Sequence, residues 1–387
     1  MSDTTERLLV IDETGGAIRA CVLENGELVE TLSGSADRPQ LCGNIYLGRV
    51  LNLVPGMDAA FLDIGLERSA ILSGKAELEP SLSGKPKLKC GDEIPVQITK
   101  LPGGDKGVVV SRELKLAGKL CVLLPLSDSV GVSKRINDEQ EIRRLKQLAE
   151  QLKPAGMGLV FRTSAQRESA EALQKDIGAL LSDWNEIQLK ASHRKAPALL
   201  RDESSILYRA ARDIFCEDIK EVVFSSEKLY NIFLDHAKSL APRLTDRVKR
   251  IETDNLFALY RIQAQLEKAS QRRVYLKSGG FIVIDRTEAM TVIDVNSGKY
   301  TGKEDAASTI LKVNLEAAKE IAKQVRLRDI GGIIIVDFID MDNKGAHKTL
   351  LDALKTDFSQ DRNRTRVIDI TPLGLVEMTR KKKHDTD

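Results

Sequence analysis

The last third of the chain constrains the fold most tightly. Residues 273–296 carry three short apolar runs, RVYLK, FIVID and MTVIDVN. Turn signals at Ser278-Gly279-Gly280 and Arg286-Thr287-Glu288 separate them, so the segment reads as a three-stranded meander. Helical spacing follows over about 304–328, where Ala307, Ile310, Leu311, Leu315, Ala318, Ile321 and Val325 make one apolar stripe that Gly331-Gly332 ends. IIIVDF (333–338) then reads as a buried strand.

Upstream, RLLVID (7–12) and AIRACVLE (17–24) read as strands joined at Gly15-Gly16, and Glu24-Asn25-Gly26 turns the chain into a third strand over 27–32. The connector from Ser33 to Gly43 is rich in Gly, Ser and Pro and marks a boundary. Between Asn44 and about Arg112 the runs IYLGRVLNLV, DAAFLDIG, SAILSG, EIPVQITK and GVVVSREL are punctuated by Pro55-Gly56, Gly65, Gly74 and Gly103-Gly104. Five short strands with glycine turns predict a small closed barrel of the OB kind, serving either single-stranded nucleic acid or structure alone. A strand at KLCVLLPL, a loop at 131–135, a helix near 138–153 and a strand ending in FRTS (161–164) come next. Further helices are expected over 168–194 and over Asn255–Ser270. A chain of 387 residues has room for two or three domains of roughly 150 residues each.

Chemistry concentrates in three places. In TVIDVN the strand period puts Val292, Asp294 and Asn296 on one face and Ile293 and Val295 on the other. Asp337 interrupts the apolar IIIVDF. A carboxylate buried alone is costly, so two at strand ends point to a shared divalent cation. Mg²⁺ takes one or two carboxylates together with waters and phosphate oxygens. Asn296 beside them suits orienting a water or a phosphate oxygen. The plain alternative is that each Asp caps a strand-end turn. In GLVFRTS (158–164), Arg162-Thr163 closes an apolar strand, and Thr163 and Gln166 match capping-box spacing for a helix start. A guanidinium beside free helix N–H groups makes a phosphate site, to which Lys134-Arg135 would add charge. A helix cap with a surface arginine is the alternative. Third, the barrel region holds only Tyr46 and Phe61 as aromatics and Lys106 in a hairpin, while Arg362, Arg364 and Arg366 alternate ahead of the run Arg380–Lys383. These residues either meet a nucleic acid or are solvated.

Composition narrows the field. The balance of 59 Lys+Arg against 57 Asp+Glu excludes a uniformly basic coat, so any anion site is local. No GxxxxGK[ST], GxSxG or HExxH occurs. No pair of histidines shares a motif, which argues against metal-free cleavage through a cyclic phosphate. No uncharged apolar run has a membrane-spanning length. The five cysteines are scattered, no CxxC exists and only four histidines do, which predicts neither a disulfide framework nor a Cys/His zinc site. With an N-terminus that lacks a basic start followed by an apolar run, these features point to the cytoplasm.

Taken together, GNIYLGRVLNLVPGMDAAFLDIGLERSAIL (43–72), GVSKRI (131–136), GLVFRTS (158–164), LKSGGFIVIDRTEAMTVIDVNSGKYTG (276–302), NLEAAKEIAKQVRLRDIGGIIIVDFIDM (314–341), DRNRTR (361–366) and LGLVEMTRK (373–381) resemble the ribonuclease E/G family of bacterial endoribonucleases, on the ribonuclease G side. The resemblance implies an α/β multidomain chain. It implies an RNase H-like fold from 1–42 plus 206–271, with an OB-type RNA-binding barrel over 43–112 inserted into it. A 5′-phosphate sensor over 113–205 and a deoxyribonuclease-like α/β catalytic domain over 272–387 complete it. By motif, Asp294 and Asp337 would hold Mg²⁺, with Mn²⁺ as a substitute, and Asn296 would complete the catalytic set. The family hydrolyses single-stranded A/U-rich RNA to 5′-monophosphate and 3′-hydroxyl ends, in RNA processing and decay. A sensor for a substrate 5′-monophosphate would fall on Arg162 and Thr163, with backbone near Gly118 and Val122 and the basic pair Lys134-Arg135. Phe61, Lys106 and Arg364 would contact RNA.

The sequence departs from the family in three places. Ile71 stands where a second RNA-facing aromatic is usual, so stacking should be weaker. Lys134 cannot offer the bidentate fork of an arginine. The family continues beyond LGLVEMTR into a CPxC motif that joins two subunits through zinc, and this sequence ends at Asp387 without one. The expectation is therefore no zinc and a monomer or weak homodimer. Two rival readings stand beside this one. The first is a non-catalytic RNA-binding homologue that lost activity with its dimer module. The second takes LLVIDETGG (8–16) as the phosphate loop of an actin-like ATPase, although no matching second loop exists.

Overall fold

The computed structural model describes residues 6–35, 41–78, 87–101, 107–203, 205–298, 306–341, 344–359 and 361–381. Lys106, expected to contact RNA, lies outside the described residues. The chain is a mixed α/β protein of two compact units. One comprises Met1–Ser33, Glu217–Tyr230 and Asp246–Asp387, and the other Gly34–Cys216 and Asn231–Thr245.

The first unit holds two sheets. A five-stranded sheet runs in the order Val248–Arg250, Ile219–Phe224, Arg7–Thr14, Ala17–Glu24, Glu27–Ser35. Its three N-terminal strands follow one another through the hairpins expected at Gly15-Gly16 and Asn25-Gly26, and Ile219–Phe224 joins them parallel to Arg7–Thr14. The helix expected over Asn255–Ser270 is two shorter pieces, Leu256–Leu259 and Ile262–Ser270. Arg261 takes a left-handed conformation between them (φ 53°), and the break lets Leu256, Phe257 and Ile262 all reach the core beside Val10 and Val223.

The six-stranded sheet runs Arg273–Tyr275, Phe281–Arg286, Met290–Asn296, Gly332–Asp337, Val376–Arg380, Thr365–Ile370. Its first three strands are the expected meander. The helix Ala306–Leu327 then carries the chain back, so Gly332–Asp337 lies parallel to Met290–Asn296, as a crossover connection requires. This helix and Lys344–Ser359 bury one face of the sheet, where Ile282, Ile293, Val295, Ile334, Val336 and Met378 meet Ile321, Val325, Leu350 and Leu354. The other face is open. The sequence predicts IIIVDF to be buried throughout, but it buries only alternate residues, Ile334, Val336 and Phe338, while Ile333 and Asp337 are exposed. Helices cover a single side, so strand periodicity turns every second residue to water.

The second unit contains the expected barrel. Strands Ile45–Val54, Ala59–Asp63, Ala70–Ser73, Val109–Ser111 and Glu93–Lys100 pair in that order, and the last pairs back to the first, closing a five-stranded ring. Its interior is filled by Val50, Ala60, Leu62, Leu72, Val96, Ile98 and Val110. A four-stranded sheet, Val130–Val132, Gly158–Phe161, Cys121–Leu124, Leu116–Ala117, packs against helices Glu139–Leu152 and Ala170–His193 through Leu123, Leu145, Leu159, Phe161, Leu173, Ile177 and Trp184. Residues 206–214 form one α-helical turn, Ile206–Arg209, that loosens into a π-type turn at Ala210–Ile214. Among the described residues no helix is long and apolar enough to cross a membrane.

Candidate active site and phosphate-binding region

Asp294 and Asp337 are partners in the parallel ladder, directly opposite each other on neighbouring strands. Both are exposed on the open face of the six-stranded sheet, with Val292 and Asn296 on the same side as the sequence pattern predicts. The argument from a buried, uncompensated carboxylate therefore does not hold. Their juxtaposition, rather than burial, is what could hold a cation. Partial desolvation, then the charges of Asp294 and Asp340, raise the Asp337 carboxyl above its ordinary pKa. Asn296 Nδ2 donates to Asp294 Oδ2 at 2.7 Å and fixes that carboxylate. Among the described residues no group of three or more His, Cys, Asp or Glu side chains is arranged to hold a metal ion. Two carboxylates are nevertheless enough for Mg²⁺, which keeps several waters and takes further oxygens from phosphate. The hard oxygen donors at this face fit such an ion.

Two supporting residues on Ala306–Leu327 escaped the sequence reading. Asn314 is fully buried, and its amide closes a pair of hydrogen bonds with one backbone position. Nδ2 donates to the Ile339 carbonyl at 2.8 Å, and Oδ1 accepts from the Ile339 N–H at 3.1 Å. The chain just beyond Asp337 is held there. Glu316 accepts from the Lys277 N–H at 2.5 Å and also from the Ser278 N–H, pinning the turn before Phe281–Arg286. That turn leaves no room for a side chain at Gly280, where a Cβ would lie 2.7 Å from the Asn296 carbonyl oxygen. The signal was present: a polar residue in the apolar stripe of a core helix must find a partner.

Arg364 is exposed and lines a groove with Arg366, Lys381 and Ile333 on the same unit. Two members of the basic stretches serve structure instead. Arg362 pairs with Glu30, and Arg380 is buried against Asp361 and Asp329, each at 2.7 Å. Phe61 is half-buried on its barrel strand, outside the packed interior, and Ile71 is its cross-strand neighbour.

In the second unit, Arg162 ends the strand Gly158–Phe161. The long helix expected over 168–194 runs Ala170–His193, capped by Ser169, and Thr163–Ala165 is a single tight turn. The capping box between Thr163 and Gln166 is not made, because Arg167 takes a left-handed conformation (φ 60°) and interrupts the run. Thr163 Oγ1 instead shares a 3.0 Å hydrogen bond with Ser133 Oγ. The exposed Lys134 and Arg135 follow Ser133 directly. Val122 is half-buried on Cys121–Leu124, paired with Val160 and Ala117.

Arg162 Nη1 donates to the Gly118 carbonyl at 2.5 Å and Nη2 to Asp213 Oδ1 at 2.6 Å. A guanidinium has five N–H donors, so these bonds leave part of the fork for a ligand. Gly118 is required by its surroundings. Asp176, on Ala170–His193, accepts from the N–H groups of Lys119, Leu120 and Cys121 at 2.9–3.1 Å, and a Cβ on Gly118 would lie 2.5 Å from its Oδ2.

The fold and these sites define an α/β protein with a carboxylate pair on an open sheet face and a separate guanidinium site. The family described as Ribonuclease E/G family matches residues 115–383. The chain is 37% identical to Ribonuclease E of Escherichia coli (strain K12), aligned over 97% of this chain but 37% of that protein. It is 33% identical to Ribonuclease G of Salmonella typhimurium (strain SL1344) over 98% of this chain and 80% of that protein. Ribonuclease E of Haemophilus influenzae is 36% identical, with 42% of its length covered. This chain belongs to the ribonuclease E/G family.

Proposed function

We propose that the chain is a Mg²⁺-dependent endoribonuclease of RNA processing and decay in the cytoplasm. Its substrate is single-stranded A/U-rich RNA, cut to 5′-monophosphate and 3′-hydroxyl ends. The observation that carries this reading is the in-register pair Asp294–Asp337 with Asn296 bonded to it, in a chain whose relatives are named ribonucleases. Mg²⁺ or Mn²⁺ on Asp294 and Asp337 would supply Lewis-acid stabilisation of the developing phosphate charge and a water of lowered pKa. The protein's own part is positional. Asn296 holds Asp294 in one orientation, and its carbonyl oxygen can accept from a water. Asn314 and Glu316 hold the segments that flank the carboxylate strands, so the two carboxylates meet a substrate without reorganising.

The remaining groups serve recognition in this reading. The barrel would track single-stranded RNA through Phe61, with Lys106 and Arg364 meeting the backbone. Arg162, Thr163, Gly118, Val122, Lys134 and Arg135 would form the sensor for a 5′-monophosphate. Arg162 suits that role because it is fixed in place and still has N–H groups to give. The division into RNase H-like, OB-type, sensor and deoxyribonuclease-like parts is proposed with it, as is a monomer or weak homodimer without zinc. Incubation with a 5′-monophosphorylated A/U-rich oligonucleotide tests the reading. Internal cleavage with Mg²⁺ that stops in chelator supports it, and binding without cleavage identifies a non-catalytic RNA-binding homologue instead.

A further inference from the structure

Asp213 stands in neither motif, yet it is the anionic partner of Arg162. Its Oδ1 accepts from Arg162 Nη2 at 2.6 Å, and the same carboxylate takes Arg212 Nε at 3.2 Å and Arg212 Nη2 at 2.9 Å. Arg212 is itself anchored by Glu203 Oε2 at 2.7 Å and the Ala117 carbonyl at 3.2 Å. Asp213 therefore cannot swing away with Arg162. It is a fixed post, set on the π-type turn Ala210–Ile214, a departure from α-helical winding that is frequent at functional sites. The Gly118 carbonyl holds Nη1 from the other side. That carbonyl is immobile in turn, because Asp176 ties down the three N–H groups that follow it.

The guanidinium is thus clamped at both Nη atoms while its side chain remains about one-quarter exposed. An unclamped arginine loses rotamer freedom when it captures a ligand, whereas a clamped one has already lost it. We propose that Asp213 is a positioning residue for 5′-phosphate recognition, holding the Arg162 fork in the orientation that receives a phosphate monoester. The inference rests on the sensor reading above and adds to it the residue that sets the sensor's selectivity. The opposite role is physically distinct. If Asp213 were a brake competing with the phosphate for Nη2, its removal would strengthen selection.

The test is the ratio of kcat/KM for 5′-monophosphorylated over 5′-hydroxyl RNA of one sequence, measured on the full chain. Asp213→Ala should lower that ratio about tenfold, the loss of one charge-assisted contact, with the change carried by KM for the monophosphorylated substrate. Asp213→Asn, which keeps an acceptor oxygen, should recover part of it. Arg162→Ala with Asp213→Ala should lower the ratio no further than Arg162→Ala alone, because the two act as one unit. General damage to the fold depresses both substrates together and leaves the ratio where it was, and that result would overturn the proposal. A ratio that rises in Asp213→Ala would show a brake and overturn it equally. If Arg162→Ala itself leaves the ratio unchanged, the sensor reading fails and this inference with it.

Discussion

Replacing Asp337 by Asn separates the chemistry of the carboxylate pair from its cost to the fold. Asp294 and Asp337 face each other across a parallel ladder, where neighbouring strands run about 4.8 Å apart. Two unit charges about 5 Å apart in water repel by about 0.8 kcal/mol, and salt with a Debye length of about 8 Å roughly halves that. Both residues are exposed, so water rather than protein sets the dielectric. Asp337→Asn should therefore stabilise the metal-free chain at neutral pH by about 0.4 kcal/mol, a rise of about 1 °C in the calorimetric midpoint. The pH dependence has a definite sign. Burial first, then Asp294 and Asp340, raise the Asp337 pKa in the folded state. The folded protein thus holds this proton more tightly than the unfolded chain, and ionising it weakens the fold. The penalty is absent below the ordinary carboxylate range and grows as pH rises through the raised folded-state value. The advantage of Asn should follow the same course. Mg²⁺ should reverse the order, since a ligand at a hundredfold its Kd adds about 2.7 kcal/mol to the protein that binds it. The variant should gain none of that and should not cleave RNA. A variant that melts several degrees lower in chelator, or that keeps the Mg²⁺-dependent rise, refutes the reasoning.

Phe61→Ala should raise the Kd for a single-stranded A/U oligonucleotide about tenfold by fluorescence anisotropy, for the loss of one stacked base, and an unchanged Kd would take Phe61 off the RNA path. Gly118→Ala drives a Cβ to within 2.5 Å of Asp176 Oδ2 and should cost about 1–3 kcal/mol by calorimetry; a variant as stable as the parent would mean that the loop opens freely. Asn314→Leu leaves the N–H and carbonyl of Ile339 without their partner and should cost about 2–4 kcal/mol. In that variant kcat should fall more than KM rises, and a normal kcat would remove Asn314 from the support of the carboxylate strands.

What the sequence made legible was whatever has a period. The strand alternation of TVIDVN assigned Asp294 and Asn296 to one face, and the closed ring of the barrel follows from five apolar runs cut by glycine turns. Periodicity says nothing of what covers a face. IIIVDF looks buried throughout because isoleucine and valine fill both sides of it, yet Ala306–Leu327 and Lys344–Ser359 both pack on one side of its sheet. Nor does spacing register a single left-handed residue. Arg261 breaks one predicted helix and Arg167 interrupts the helix start predicted at Thr163, although neither is a glycine. The charged residues were hardest. Arg362, Arg364 and Arg366 alternate identically in sequence, yet Arg362 pairs with Glu30 while Arg364 and Arg366 line a groove.

The two candidate sites share a construction that accounts for this unevenness. Each presents a few groups that a motif marks, and each is held by polar side chains from remote positions. Asn314 fastens Ile339 behind Asp337, Glu316 fastens Lys277 and Ser278, Asp176 fastens the loop after Gly118, and Asp213 fastens Arg162. None of the four sits beside the group it supports in sequence; the Asp213–Arg162 pair spans 51 positions. A motif search finds the groups that face a ligand because their chemistry restricts them to few residue types. Their supports need only an acceptor or an amide at the right point in space, which many sequences supply. In the proposed function, activity would depend on both. A guanidinium that wanders, or a carboxylate on a loose strand, loses the pre-set orientation through which a fixed site outperforms the same groups in solution. Substitution of a support should therefore resemble a weakened site rather than a deleted one, with selectivity or turnover reduced and the chemistry intact.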